Sequence, residues 1–124
     1  MSNIEAARAF IAANEAKDWA AIRAALADDV FYHNVPMPAV TGADVAVKVL
    51  QQFMGAAEKI EWVIVSIAED AEGRVLNERI DKFWLPGGKA VSLPVCGVFE
   101  FKNRKISSWR DYFDLGDFQR QMAG

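Results

Sequence analysis

Apolar positions change period about halfway along the chain. In "SNIEAARAFIAA" the stripe Ile4, Ala7, Phe10, Ile11 recurs at three- and four-residue intervals, the spacing of one helical face. Ser2 with Glu5 three residues later fits a capping box opening this helix. A second helix is predicted behind Asp18 as its cap, with Trp19, Ile22 and Leu26 on one face. "DDVFYHNVPMP" then turns aromatic and β-branched, which predicts a short strand stopped by Pro36 and Pro38. Thr41 with Asp44 reads as a third cap, leading into a helix that buries Ala46, Val49, Leu50, Phe53 and Ala57.

The second half reads as strand after strand. "KIEWVIVSIAE" ends at "DAEG", "RVLNERIDKFWL" at "PGGK", and "AVSLPVCGVFEF" at "KNRK"; "ISSWRDYFDL" closes the set. Short polar or Gly-bearing connections between long strands predict an antiparallel meander. Asp117 caps a final helical turn with Phe118 and Met122. Helices first and a sheet afterwards make an α+β arrangement, with the helices on one sheet face. No repeat, linker or low-complexity stretch divides residues 1–124, so one domain is expected.

Composition narrows the function classes. At 124 residues the chain can build one packed core, and 52% hydrophobic with 25% charged residues is ordinary for a globular protein. The net charge of −3 comes without any Lys/Arg cluster, which argues against a nucleic-acid reader. No apolar run approaches the roughly 18 residues of a membrane span. The start "MSNIEAARAF" lacks the features of a secretory signal, so a cytoplasmic protein is expected. Cys96 is the single cysteine; it can form no intrachain disulfide and is expected to be a small buried hydrophobe. His33 has no companions for a metal site, and a solvated imidazole is expected. Asp28-Asp29 reads as a surface helix exit, Trp19, Trp62 and Trp84 as core or dimer contacts, and "PGGK" as a hairpin turn.

The polar residues inside predicted strands carry the chemical interest. In "LNERIDKF" alternation places Arg79 and Asp81 on one face with Val75, Asn77, Phe83 and Leu85, and sends Glu78 and Lys82 to the other. For an isolated Arg–Asp pair a solvated salt bridge is the ordinary reading. The last strand adds Asp111 between Trp109 and Phe113 on one face. Two-residue turns at Gly87-Gly88 and Asn103-Arg104 would align Arg79, Cys96 and Asp111; three-residue loops would align Asp81, Val95 and Asp111. Either register puts both acids and the arginine on one sheet face, where forked donors can bridge two carboxylates. Two acids sharing a cation can serve as proton donor and proton acceptor. Burial raises their pKa values, the arginine lowers them, and one shared proton is expected near neutral pH.

"LNERIDKF", "SLPVCGVFEF" and "SWRDYFDLGDF", in that order and spacing and preceded by "FYHNVPMP", resemble the limonene-1,2-epoxide hydrolase family over residues 28–119. The resemblance implies a cone-shaped fold, a strongly curved mixed sheet with helices closing a deep apolar pocket, and a homodimer. It places Arg79 at the bridging arginine, Asp81 at the general acid and Asp111 at the general base, with Tyr32 and Asn34 holding the water. It implies one push–pull step, without covalent intermediate or cofactor, turning an apolar epoxide and water into a vicinal diol. Limonene-1,2-oxide and other cyclic or alkyl epoxides all suit that chemistry. Phe53, Phe83, Leu93, Val95, Trp109 and Phe118 are the candidates for gripping the substrate. Other cone-shaped proteins are isomerases, dehydratases or polyketide cyclases, and some are non-catalytic binding or dimerisation modules. The former typically lack the Arg-x-Asp and Trp-Arg-Asp combination, and a binding module has no need of charges buried in an apolar cone.

Overall fold

The computed structural model describes all residues, 1–124. Helix α1 (Asn3–Glu15) opens on the Ser2–Glu5 capping box and buries Ala7, Phe10 and Ile11. Asp18 caps α2 (Trp19–Ala25), its carboxylate accepting from the Ala21 N–H. This helix stops one residue before Leu26, which begins strand β1 (Leu26–Val35). Asp28 and Asp29 therefore lie in a strand, and Asp28 pairs with Arg23 at 2.9 Å. A two-residue strand β2 (Val40–Thr41) leads to α3 (Ala43–Met54), which buries Ala43, Ala46, Leu50 and Met54.

Two predicted caps are displaced. Gly42, with φ +108°, occupies the N-cap of α3 without any side-chain bond, because Thr41 is committed to β2 and Asp44 binds Arg23. A left-handed φ there favours glycine. Ala57 lies beyond the end of α3 but is still buried. Asp114, not Asp117, caps α4 (Leu115–Ala123), accepting from the Asp117 N–H.

Strands β3 (Lys59–Glu69), β4 (Val75–Trp84), β5 (Ala90–Lys102) and β6 (Lys105–Phe113) form the antiparallel meander, and β1 pairs with β6 in parallel. The resulting six-stranded sheet, in order β2-β1-β6-β5-β4-β3, is curved, unclosed and mixed. Helices α1, α2 and α3 cover its concave face, where Phe10, Phe99 and Trp109 meet edge-on or tilted in the core. Leu76, Cys96, Tyr112 and Glu78 point outward from the opposite face.

Neither predicted hairpin register holds. The β4–β5 pairing closes at Trp84–Ala90 and leaves residues 85–89 in the loop. Asn103-Arg104 does form a two-residue turn, both residues having positive φ (52° and 65°). A bulge follows: Phe101 pairs with Ile106 but Glu100 with Ser108, so Ser107 is an extra residue. Each change slips the register by one, and a one-residue slip turns a side chain to the other face. Cys96 is consequently exposed instead of buried, and Gly97 takes the inward place opposite Asn77 and Asp111. The two slips add to a two-residue shift, which puts Asp111 in the row of Asn77 instead of Arg79 but keeps Arg79, Asp81 and Asp111 on the concave face.

Candidate active site

Strand alternation delivers Asn77, Arg79, Asp81 and Phe83 from β4 into the cone, and every one of them is buried. From β6 come Trp109 and Asp111; from β1 come Tyr32 and Asn34, paired with those two in the parallel register. His33, between them, alternates away and meets Phe31.

Arg79 is the centre of this group and is fully buried, at 0% exposure. Its Nε and Nη2 donate to the two Asp81 oxygens at 2.9 and 3.0 Å. Its Nη1 and Nη2 donate to the two Asp111 oxygens at 3.3 and 2.8 Å. The remaining Nη1 proton goes to Asn77 Oδ1 at 2.7 Å, so the guanidinium uses its full set of donors. The Trp62 ring covers one face of the guanidinium, 4.8 Å from its centroid. Trp62 faces Asp81 across the β3–β4 ladder.

Burial pushes the Asp81 carboxyl from its ordinary 3.8 up to about 6, against the opposing pull of Arg79. Burial also works against the Arg79 charge, but Asp111 and Asp81 outweigh it and hold the guanidinium above the ordinary arginine value. Tyr32 is pushed up by burial, with the Asp111 charge adding to it, and is a neutral phenol at any ordinary pH.

Tyr32, Asn34, Asp81 and Asp111 line a cavity walled by Leu50, Phe53, Trp62, Phe83, Leu93, Val95 and Phe113. Its free volume is about 20 Å³, room for about one water molecule. A second hollow of about 330 Å³ between β1, β2 and α3 shares Tyr32, Asn34 and Phe53 with it. The larger concavity, about 550 Å³, lies on the outer sheet face around Leu76, Cys96 and Tyr112, and holds none of the buried charges. Of the predicted apolar contacts, Phe53, Phe83, Leu93 and Val95 are wall residues. Phe118 sits behind them, 5.4 Å from the Phe53 ring and 6.5 Å from that of Phe113. Trp109 is a supporting floor, stacked on Tyr32 at 4.3 Å and wholly buried.

Trp62, Leu50, Phe113 and Asn77 were not expected at the site: Leu50 and Trp62 were read as packing residues, and Phe113 and Asn77 only as face-mates of Asp111 and Arg79. For Trp62 a signal existed: Ile60, Trp62 and Ile64 alternate on one face of β3, beside the strand that carries Arg79 and Asp81.

A buried arginine gripping two carboxylates beside a water-sized apolar chamber suits proton transfer to and from a small substrate. The family model of the limonene-1,2-epoxide hydrolase catalytic domain matches residues 1–123. The chain belongs to the limonene-1,2-epoxide hydrolase family. It is 37% identical over 112 residues to the epoxide hydrolase EphG of Mycobacterium tuberculosis, spanning 90% of this chain and 73% of that protein. The structure of an LEH-like epoxide hydrolase from M. tuberculosis superposes with a TM-score of 0.84 at 35% identity, over 98% of this chain and 89% of the other. A putative polyketide cyclase from Pseudomonas putida has a TM-score of 0.86 at 24% identity, covering 98% of each chain, which is a likeness of fold alone. As a limonene-1,2-epoxide hydrolase family member, the chain is an epoxide hydrolase acting on an epoxide and water. No helix in it is long and apolar enough to cross a membrane.

Proposed function

We propose that this single domain opens a cyclic or alkyl epoxide, such as limonene-1,2-oxide, to a vicinal diol in one acid–base step. Asp111 removes a proton from a water molecule that Tyr32 and Asn34 hold beside it. The water oxygen attacks one epoxide carbon, the carbon–oxygen bond breaks, and Asp81 passes its proton to the departing oxygen. The proton gained by Asp111 and the one lost by Asp81 leave the net charge of the pair unchanged. Arg79, bonded to both acids, stays charged throughout and stabilises whichever carboxylate is anionic.

The observation that carries this reading is the pair of buried carboxylates held on one guanidinium beside a water-sized chamber. Asp81 is held up to about 6 by burial and so keeps a proton into the weakly acidic range. The water-holding side belongs to Asp111, because Asn34 is its register partner in β1. The neutral Tyr32 hydroxyl, which also lines the chamber, can accept from or donate to that water. The chamber has space for the attacking water, and the substrate's apolar body would occupy the neighbouring hollow, which shares Tyr32, Asn34 and Phe53 with it.

Single turnover in heavy-oxygen water tests the direct attack. With enzyme in excess, the first diol formed carries one solvent oxygen if water attacks the ring. A first turnover free of the label would mean that a carboxylate attacked instead, and would end this reading. We also infer a homodimer through the outer sheet face, where Val63, Val65, Leu76 and Tyr112 are 42–57% exposed.

A further inference from the structure

Besides the acids themselves, two inward positions touch the Arg79–Asp111 contact. Asn77 precedes Arg79 by two residues, shares its face and is buried. Its Oδ1 takes the Arg79 Nη1 proton at 2.7 Å, and its Nδ2 donates to the Gly97 carbonyl at 3.2 Å. The amide orientation follows from chemistry, since a guanidinium has no acceptor and only the carbonyl end can face it. Gly97 lies between Asn77 and Asp111 in the β4–β5–β6 row. A Cβ there would overlap Asp111 Oδ1 and stand 2.9 Å from Arg79 Nη1 and 3.3 Å from Asn77 Nδ2. Gly97 has no left-handed backbone requirement, so the need for glycine comes from this close approach.

We propose that Asn77 and Gly97 are positioning residues for the epoxide-opening acids: Asn77 locks the in-plane orientation of the Arg79 guanidinium, and bare Gly97 lets Asp111 reach it. The contact they control is the weaker one. Arg79 Nη1 meets Asp111 Oδ1 at 3.3 Å, against 2.8 Å for the Nη2–Oδ2 bond. Without the Asn77 carbonyl, Nη1 has one buried proton unpaired, and turning the guanidinium to find a partner breaks its fork to Asp111. A neutral acceptor at this place is also distinctive. An aspartate of the same shape would put a third carboxylate around one cation, favouring the protonated form of Asp81.

The inference rests on the roles proposed above for Asp81 and Asp111, so Asp111→Asn is assayed beside the new variants. Asn77→Ala and Gly97→Ala are expected to lower kcat roughly 10- to 100-fold with KM within about twofold, the effect of one charged hydrogen bond lost from the transition state. Asn77→Asp is expected to move the limbs of the pH–rate profile upward by at least about half a unit, a change that mere structural support would not produce. Circular dichroism establishes folding; should Asn77→Ala not fold, Gly97→Ala and Asn77→Asp decide. Wild-type kcat in the alanine variants, or a kcat loss in which Asn77→Asp leaves the pH profile in place, overturns the positioning role while Asp111→Asn is inactive. An active Asp111→Asn instead overturns the acid–base assignment, and this inference with it.

Discussion

Replacing Arg79 by methionine removes the one cation from the cone while keeping much of its apolar length. Arg79 makes ion pairs of 2.9 Å to Asp81 and 2.8 Å to Asp111, and the two carboxylates are 5% exposed each. Breaking a buried pair by deleting one partner costs about 3–5 kcal/mol when the stranded charge stays ionised. Here the stranded groups can protonate instead, so the loss depends on pH. In the wild type, Asp81 rises from 3.8 to about 6 on folding; its stabilising effect is complete below 3.8 and is lost as pH rises through about 6. Without Arg79 the Asp81 carboxyl loses the charge that lowers it and rises further, so the folded protein binds more protons than the unfolded one to still higher pH. Each such proton steepens the fall by about 1.4 kcal/mol per pH unit. Arg79→Met is therefore expected to be about 3–5 kcal/mol less stable than the wild type near pH 8, and much closer to it near pH 5. Urea unfolding of both proteins across that range measures the difference directly. A difference below about 1 kcal/mol at pH 8, or one that does not shrink toward acid, would refute the idea that Arg79 compensates two buried charges.

Three shorter tests address other parts of the site. Because Asp81 must carry a proton to donate it, kcat/KM should fall about tenfold per unit above a pH of about 6, and a rate flat through neutrality in a stopped-flow titration would contradict that. Tyr32→Phe keeps the stack on Trp109 but removes the hydroxyl from the chamber; kcat should drop roughly tenfold or more with little change in melting temperature. Leu76→Arg with Tyr112→Arg should halve the sedimenting mass of a wild-type dimer, and an unchanged mass would move the interface elsewhere.

How much of this was legible in the sequence depends on the kind of signal. Strand β3 was readable to its ends because Lys59–Glu69 is bounded by turn residues and rich in β-branched side chains. That Arg79 and Asp81 share a face was readable because period-two alternation within one strand is independent of the loops; Asp111 joins them because the two one-residue slips add to an even shift. Register was not readable. A five-residue loop and an unannounced bulge at Ser107 each moved the pairing by one, and nothing in "KISSW" marks which serine is extra. Cys96 was misplaced for that reason, as was the importance of Gly97. Caps failed where tertiary partners competed: Asp44 was taken by Arg23, leaving Gly42 at the helix start. The parallel pairing of β1 with β6 joins segments about 75 residues apart, which local pattern does not encode; the family resemblance supplied the mixed sheet and the roles of Tyr32 and Asn34.

The assignment of Asp111 as the base that activates water is the centre of the account. Diol formation from limonene-1,2-oxide and cyclohexene oxide, followed for the wild type and Asp111→Asn side by side, tests it most directly. Diol is expected from the wild type on at least one of the two, with a loss of about 10³-fold or more in the variant, whose amide cannot accept the water proton. An Asp111→Asn protein that forms diol at the wild-type rate would contradict it.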